Sequence, residues 1–295
     1  MSDVALLIRG ARVVDPVQKM DREGDILIQG GKLKRIGQVS ANGLPDNVRV
    51  IEAGGLVACH GFIDLHCHLR EPGYEDKETI ATGTLAAARG GFTTLCAMPN
   101  TNPPIDNAPV VDSLLRRAAQ EGVIRVLPIG CITKRREGKD LAEMAELVQA
   151  GVVAFSDDGS PVSDANVMRL ALTYALAFST PVINHCEELS LSKGGVMNEG
   201  WVATRLGLRG IPAAAEEAMA ARDIALAEMT GGRLHLAHVS TARTVELVRQ
   251  AKAQGVRVTA EATPQHLTLT DEWVSGYKGS GPPVAALSPY AYDTA

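Results

Sequence analysis

A barrel of alternating strands and helices, led by a small β-rich module, is the α/β fold that this sequence predicts. From about residue 58, apolar runs of strand length alternate with alanine- and leucine-rich stretches of helical period. That alternation gives parallel strands joined by crossover helices. Seven such strands occur, and no glycine-rich phosphate loop favours an open doubly wound sheet, so a (β/α)8-type barrel is the expected form.

The first 57 residues break into short strand candidates: Ala5–Ile8, Ala11–Val14, Asp25–Ile28, Lys32–Ile36 and Arg49–Ile51. Gly10, Gly24, Gly30, Gly31, Gly54 and Gly55 punctuate them. The barrel strands follow at Phe62–Leu65, Thr93–Ala97, Ile124–Ile129, Val152–Phe155, Val182–Asn184, Arg233–Ala237 and Val256–Ala260. Their helices are expected over Thr79–Arg89, Val110–Gln120, Leu141–Gln149, Ala165–Phe178, Ala213–Glu228 and Ala242–Gln254, most stopped by a nearby glycine. The longer polar stretch Leu189–Ile211 reads as an excursion over the site or onto a neighbour. Trp273–Ala295 reads as a glycine- and proline-rich tail, with no eighth strand to close the barrel.

A net charge of -5 without a basic block argues against nucleic acid as a partner. Lys134-Arg135-Arg136 is expected to be a solvated loop. The five cysteines are scattered and odd in number, as suits reduced thiols in the cytoplasm. Neither a signal peptide nor a run of the ~18 apolar residues that a membrane span needs is seen.

In such barrels the chemistry sits at the C-terminal ends of the strands. The first strand ends in His66-Cys67-His68, with Arg70 beyond. Alternate residues of a strand share a face, so two imidazoles and a guanidinium can look into one space, there to hold a divalent metal and an anionic substrate. The fourth strand ends in Asp157-Asp158-Gly159, the fifth in His185-Cys186-Glu187 and the sixth in His235-Leu236-Ala237-His238. Asp157 and Asp158 compete for the site, with the one beside the glycine favoured. His238 is the better ligand and His235 the structural one. His60 falls at the bottom of the barrel, and His266 is expected to order a loop. Histidine and carboxylate donors without cysteine fit zinc or a similar ion. Four histidines and one aspartate exceed one tetrahedral site, so two metals sharing Asp158, with a bridging hydroxide, are expected.

The runs Gly61–Gly73 and Ala97–Pro104, followed in order by Phe155–Gly159, His185–Glu188 and His238–Thr241, resemble the class I dihydroorotases of the amidohydrolase superfamily. The resemblance covers essentially the whole chain. It implies a metal-dependent hydrolase barrel with a partial β-sandwich module at residues 1–57 and an incomplete barrel at 58–295. The implied activity is reversible cyclisation of N-carbamoyl-L-aspartate to L-dihydroorotate, in pyrimidine synthesis. By position, His66 and His68 hold a first zinc, Asp158 bridges, and His185 and His238 hold a second. His68, Arg70 and Asn100 meet the substrate's carboxylate. The implied partners are a second copy of the chain or aspartate transcarbamoylase. Related hydantoinases bridge their metals with a carboxylated lysine, which Asp157-Asp158 does not offer.

Two departures stand out. His60 occupies a position where the family usually has proline. The family also continues to an eighth strand whose aspartate binds the first metal and serves as general acid/base, so no catalytic acid/base is assigned here. The chain is therefore expected to be a fragment or truncated product, with weak or no turnover and an exposed seam. The alternatives are an allantoinase or hydantoinase, or a non-catalytic scaffold for aspartate transcarbamoylase.

Overall fold

The computed structural model describes residues 5–40, 44 and 47–275. Two compact units divide the chain, Met1–Phe62 and Ile63–Ala295. The first holds β1 (Leu6–Asp15), β2 (Met20–Gln29), β3 (Lys32–Gly37), β4 (Arg49–Glu52) and β5 (Val57–Cys59). These form one sheet in the order β3-β2-β1-β4, with β5 also on β1. Because β5 pairs with β1, the unit extends beyond the expected limit at residue 57. The two runs expected on either side of Gly10 are one strand. The register against β2 shifts between Ile8 and Ala11, and Gly10 takes φ 71 there, so the glycine makes a bulge and not a turn. Ala5, Leu7, Ala11, Val13 and Asp15 of this segment are buried, the alternation of a strand with one covered face.

The second unit continues with β6 (Phe62–Cys67), α1 (Ile80–Arg89), β7 (Phe92–Ala97), α2 (Ala108–Glu121), β8 (Arg125–Gly130), α3 (Met144–Gln149) and β9 (Ala154–Ser156). There follow α4 (Ala165–Ala175), β10 (Val182–Asn184), α5 (Leu189–Ser192), β11 (Met197–Asn198), α6 (Trp201–Leu206) and β12 (Gly210–Ile211). The described part ends with α7 (Ala214–Thr230), β13 (Leu234–Leu236), α8 (Ala242–Ala253), β14 (Val258–Ala260) and α9 (Pro264–Thr268). Seven strands form one sheet in the order β14-β13-β10-β9-β8-β7-β6, and neighbours from β7 to β14 pair parallel. This is the strand order of a (β/α)8 barrel with seven of its eight strands. Among the described residues β6 and β14 are the sheet's edges, and Phe62, Ile63 and Leu65 on β6 are each more than half exposed.

Side chains that cap helix N-termini fix where the strand-end loops turn into helices. Thr79, Asn107, Asp164 and Thr241 accept backbone N–H groups at the starts of α1, α2, α4 and α8. Along β7 the strand period sorts side chains between two cores. Leu95 and Ala97 join the large core with Phe155, Met168 and Leu172, while Cys96 and Met98 pack with Ile129, Ile183 and Ala237 on the other face. The Leu189–Ile211 excursion has order of its own. β11 and β12 pair in parallel, and Met197, Val202 and Ala203 make a separate small core. Two-residue strands and helices of four and six residues are too short to leave a periodic signal.

Phe155 is fully buried in the large core. Truncating such a phenylalanine removes burial and leaves a cavity, at about 3–5 kcal/mol. Phe155→Ala is therefore expected to lower the urea midpoint of the chain markedly without changing the slope, read by circular dichroism.

Candidate metal centre

The residues singled out at strand ends lie in the last positions of their strands or in the loops just beyond. His66 is the penultimate residue of β6, and His68 follows its end. Asn100 follows β7, Asp158 β9, His185 β10, His238 β13 and Glu261 β14. Two groups converge: His66, His68 and Asp158, and Asp158, His185 and His238, with all donor atoms of each group within 4.8 Å of one another.

The spacings match coordination edges. His66 Nε2 lies 3.3 Å from His68 Nε2 and 3.3 Å from Asp158 Oδ1, and His68 Nε2 lies 3.5 Å from Asp158 Oδ2. Bonds of ~2.0–2.1 Å in a tetrahedron around zinc give donor–donor edges of about 3.3–3.4 Å. The second group is less regular: His185 Nδ1 is 2.9 Å from His238 Nε2, and these atoms lie 3.9 and 3.6 Å from Asp158 Oδ1. Asp158 thus belongs to both groups, and the donor set could hold two divalent ions.

The outer ring nitrogens are engaged, which fixes the inner ones. His66 Nδ1 donates to Glu261 Oε1 at 2.6 Å, His68 Nδ1 to Asn100 Oδ1 at 2.9 Å, and His185 Nε2 to Glu187 Oε2 at 3.1 Å. Each acceptor oxygen holds a proton on the outer nitrogen, leaving the inner nitrogen's lone pair for a metal. Asn100 also donates from Nδ2 to Asp158 Oδ2 at 3.2 Å, so one amide spans two candidate ligands.

Charge follows from this packing. Burial would raise the Asp158 carboxyl, but hydrogen bonds from His238 and His66 outweigh it and hold the group well below the usual carboxylate range. Burial would lower His66, but Asp158 and Glu261 outweigh it and raise the imidazole to about 9. His68 is carried down to about 4, chiefly by burial. Glu261 falls to about 2 because His235 and His66 outweigh its burial.

The remaining polar residues sort themselves around this centre. Asp157 turns away to accept from the backbone N–H groups of Ile132 and Thr133, and from the Thr133 hydroxyl. His235 accepts or donates at Thr259 Oγ1, 2.8 Å away, and its Nε2 lies 3.2 Å from Glu261, behind the site. His60 pairs with Asp15 in the first unit, and His266 closes a capping box with Thr263 at α9. Arg70 sits just beyond His68 with a left-handed backbone (φ 60), half-buried, and its guanidinium has no ion-pair partner among the described residues.

Two residues escaped the sequence reading. Glu261 lies just past the seventh strand, and nothing local shows that it faces a histidine 195 positions away. Arg136 was placed in a solvated cluster. Lys134 and Arg135 do pair on the surface with Glu143 and Glu137. Arg136 instead reaches the carbonyls of Asp157 and Asp158 and the hydroxyl of Ser160, pinning the loop that carries the shared carboxylate.

A dihydro-orotase-like family model matches residues 55–244. The fold is that of a (β/α)8-type barrel whose strand ends carry two candidate metal positions. The chain belongs to the dihydro-orotase-like family. It is 55% identical over 276 residues to the dihydroorotase of Pelotomaculum thermopropionicum, covering 93% of this chain and 64% of that protein. The dihydroorotase of Syntrophus aciditrophicus is 48% identical over 272 residues, again with 92% and 64% covered. The chain thus spans under two thirds of the length of these relatives. Among solved structures, the L-hydantoinase of Arthrobacter aurescens superposes with a TM-score of 0.78 at 23% identity, over 91% of this chain and 60% of that one. A D-hydantoinase from Thermus sp. gives 0.70 at 23% identity, over 92% and 60%. At that identity the likeness is one of fold.

The raised His66 makes the stability of the metal-free chain pH-dependent. Its protonated ring stabilises the fold fully below about pH 6.5, the ordinary histidine value, and that contribution is lost as pH rises through about 9. The melting temperature of the metal-free chain should therefore fall between pH 6.5 and 9. In His66→Gln that fall should be smaller, as followed by differential scanning calorimetry in a chelator.

Proposed function

We propose that this chain carries the metal-binding part of a dihydroorotase, an enzyme that interconverts N-carbamoyl-L-aspartate and L-dihydroorotate. One observation carries the reading: two imidazole pairs share the Asp158 carboxylate, with Arg70 beside them, its guanidinium in no ion pair among the described residues. His66 and His68 would hold one divalent ion with Asp158, and His185 and His238 the other. Zinc suits the donor set. Such an ion pair supplies Lewis acidity where negative charge develops on the ring carbonyl.

The chain's own groups do the rest. In ring opening the amide C–N bond breaks, the carbonyl carbon gains a hydroxyl and the nitrogen a proton. Arg70 is suited to grip the substrate's carboxylate through two parallel N–H donors. Asn100 keeps His68 turned while one Nδ2 hydrogen holds Asp158. Glu261 keeps His66 presented through Nε2. The four relatives' worth of sequence likeness at 50–55% identity, all to proteins named dihydroorotase, favours this substrate over hydantoin or allantoin. So does Asp158 at the position where a lysine would be needed. A cytoplasmic setting, and a homodimer or a complex with aspartate transcarbamoylase, belong to the same proposal.

The test begins with metal content and turnover of dihydroorotate, hydantoin and allantoin by the zinc-loaded chain. A preference for hydantoin or allantoin, or a chain that binds no metal, would overturn the reading. Hydrogen bonds to charged groups contribute about 1.5–3 kcal/mol. Arg70→Ala should accordingly weaken binding of N-carbamoyl-L-aspartate about 10- to 100-fold in calorimetric titration, with metal content unchanged.

A further inference from the structure

We propose that α7 is a positioning element for the second metal position, and that its buried Glu216 sets the backbone that presents His238. This inference rests on the metal-binding reading above, and concerns residues outside the donor set.

His238 is a strained point. Its backbone has φ 37, a left-handed conformation that costs a non-glycine residue about 1–3 kcal/mol and persists only where its surroundings impose it. The two residues after Val239 are held by one carboxylate. Glu216, in the first turn of α7 and buried, accepts from Ser240 N at 2.9 Å and Ser240 Oγ at 2.6 Å through Oε2. Through Oε1 it accepts from Thr241 N and Thr241 Oγ1, both at 3.2 Å. Four donors from two adjacent residues meet a single side chain. Val239 N is tied separately to the Glu261 carbonyl at 2.8 Å, so the loop is fixed immediately after the strained histidine.

The same helix reaches the other two loops of the second group. Asp223 is fully buried and accepts from Asn184 Nδ2, the residue before His185. Arg222 donates to Asp223 and, at 2.8 Å each, to the carbonyls of Val162 and Ser163, in the loop that follows Asp158. A helix whose buried face were merely core would present apolar side chains there. Beside Met219, Ala220 and Ala227, α7 presents two buried carboxylates, Glu216 and Asp223, and the half-buried Arg222, each directed at a loop that carries a member of the second donor group.

The partners of the first group come from elsewhere: Glu261 for His66 and Asn100 for His68. Loss of Glu216 should therefore act on one metal position and not the other. A glutamine keeps the size of Glu216 but offers one acceptor oxygen and an N–H2 group that faces donors, so it cannot serve all four. Supporting residues of this kind typically change metal affinity by about 10–100-fold.

The test is zinc titration of the 295-residue chain and its Glu216→Gln variant, with stoichiometry by plasma mass spectrometry and folding by circular dichroism. The expected result is two zinc equivalents in the parent, and in the variant one equivalent held as before with the second weakened at least tenfold. Two equivalents of unchanged affinity in a folded variant would overturn the proposal, as would equal weakening of both. A parent that binds no zinc would take the metal-binding reading down with it. If Glu216→Gln fails to fold, Ser240→Ala removes only one of the four donors. It should weaken the second equivalent severalfold, and no change there would count against the role of Glu216.

Discussion

Asp158 sets a carboxylate among four imidazoles, with ring nitrogens of His66, His68, His185 and His238 between 3.3 and 3.9 Å from its oxygens. A buried carboxylate left to itself costs several kcal/mol of lost hydration. Its neighbours must therefore be cationic, or donors, or both, and they must be held there. That requirement spreads outward. Imidazoles that face one carboxylate need their far nitrogens satisfied, hence Glu261, Asn100 and Glu187. The loop that carries Asp158 needs fixing, hence Arg136 on its carbonyls and Ser156 Oγ on its N–H. Asp157, next in the chain, cannot share the same space. It is turned to the loop after β8, where burial lifts it to about 6 against the donors of Thr133 and Ile132.

This requirement explains which parts could be read from the sequence. Four of seven histidines fall at predicted strand ends, because a strand has a period of two and a barrel has one open end for chemistry. The seven strands and six main helices were legible for the same reason: each is long enough, or regular enough, to show its period. Between Asp157 and Asp158 the sequence favoured the one beside the glycine, and Asp158 is the one that faces the imidazoles. Glu261 and Arg136 were illegible as site residues because their partners lie far away in sequence. β1 was split in two because a bulge glycine and a turn glycine look alike in a string of letters. Helix α7 was legible as a helix. The use of Glu216 and Asp223 on its covered face was not, since ionisable residues on a helix are ordinarily read as its solvent side.

The two donor groups are held differently, the second with a left-handed backbone at His238. In the first group, a single imidazolium at His66 stands between two carboxylates, Asp158 and Glu261. The proton on that ring occupies electrostatically the place a cation would take. Some 30 buried apolar side chains in the large core pack behind these strand ends.

Metal uptake at the first position would then be an exchange and not an addition. A divalent ion held by His66 and Asp158 would displace the proton on a ring raised to about 9. The second position also sets a ring between two carboxylates, His185 with Glu187 at 3.1 Å and Asp158 at 3.9 Å. It relies on backbone placement, with His238 in a left-handed turn and His185 presented through Nδ1. Placement of that kind must be imposed by packed, hydrogen-bonded neighbours. The buried carboxylates of α7 are where the fold supplies them.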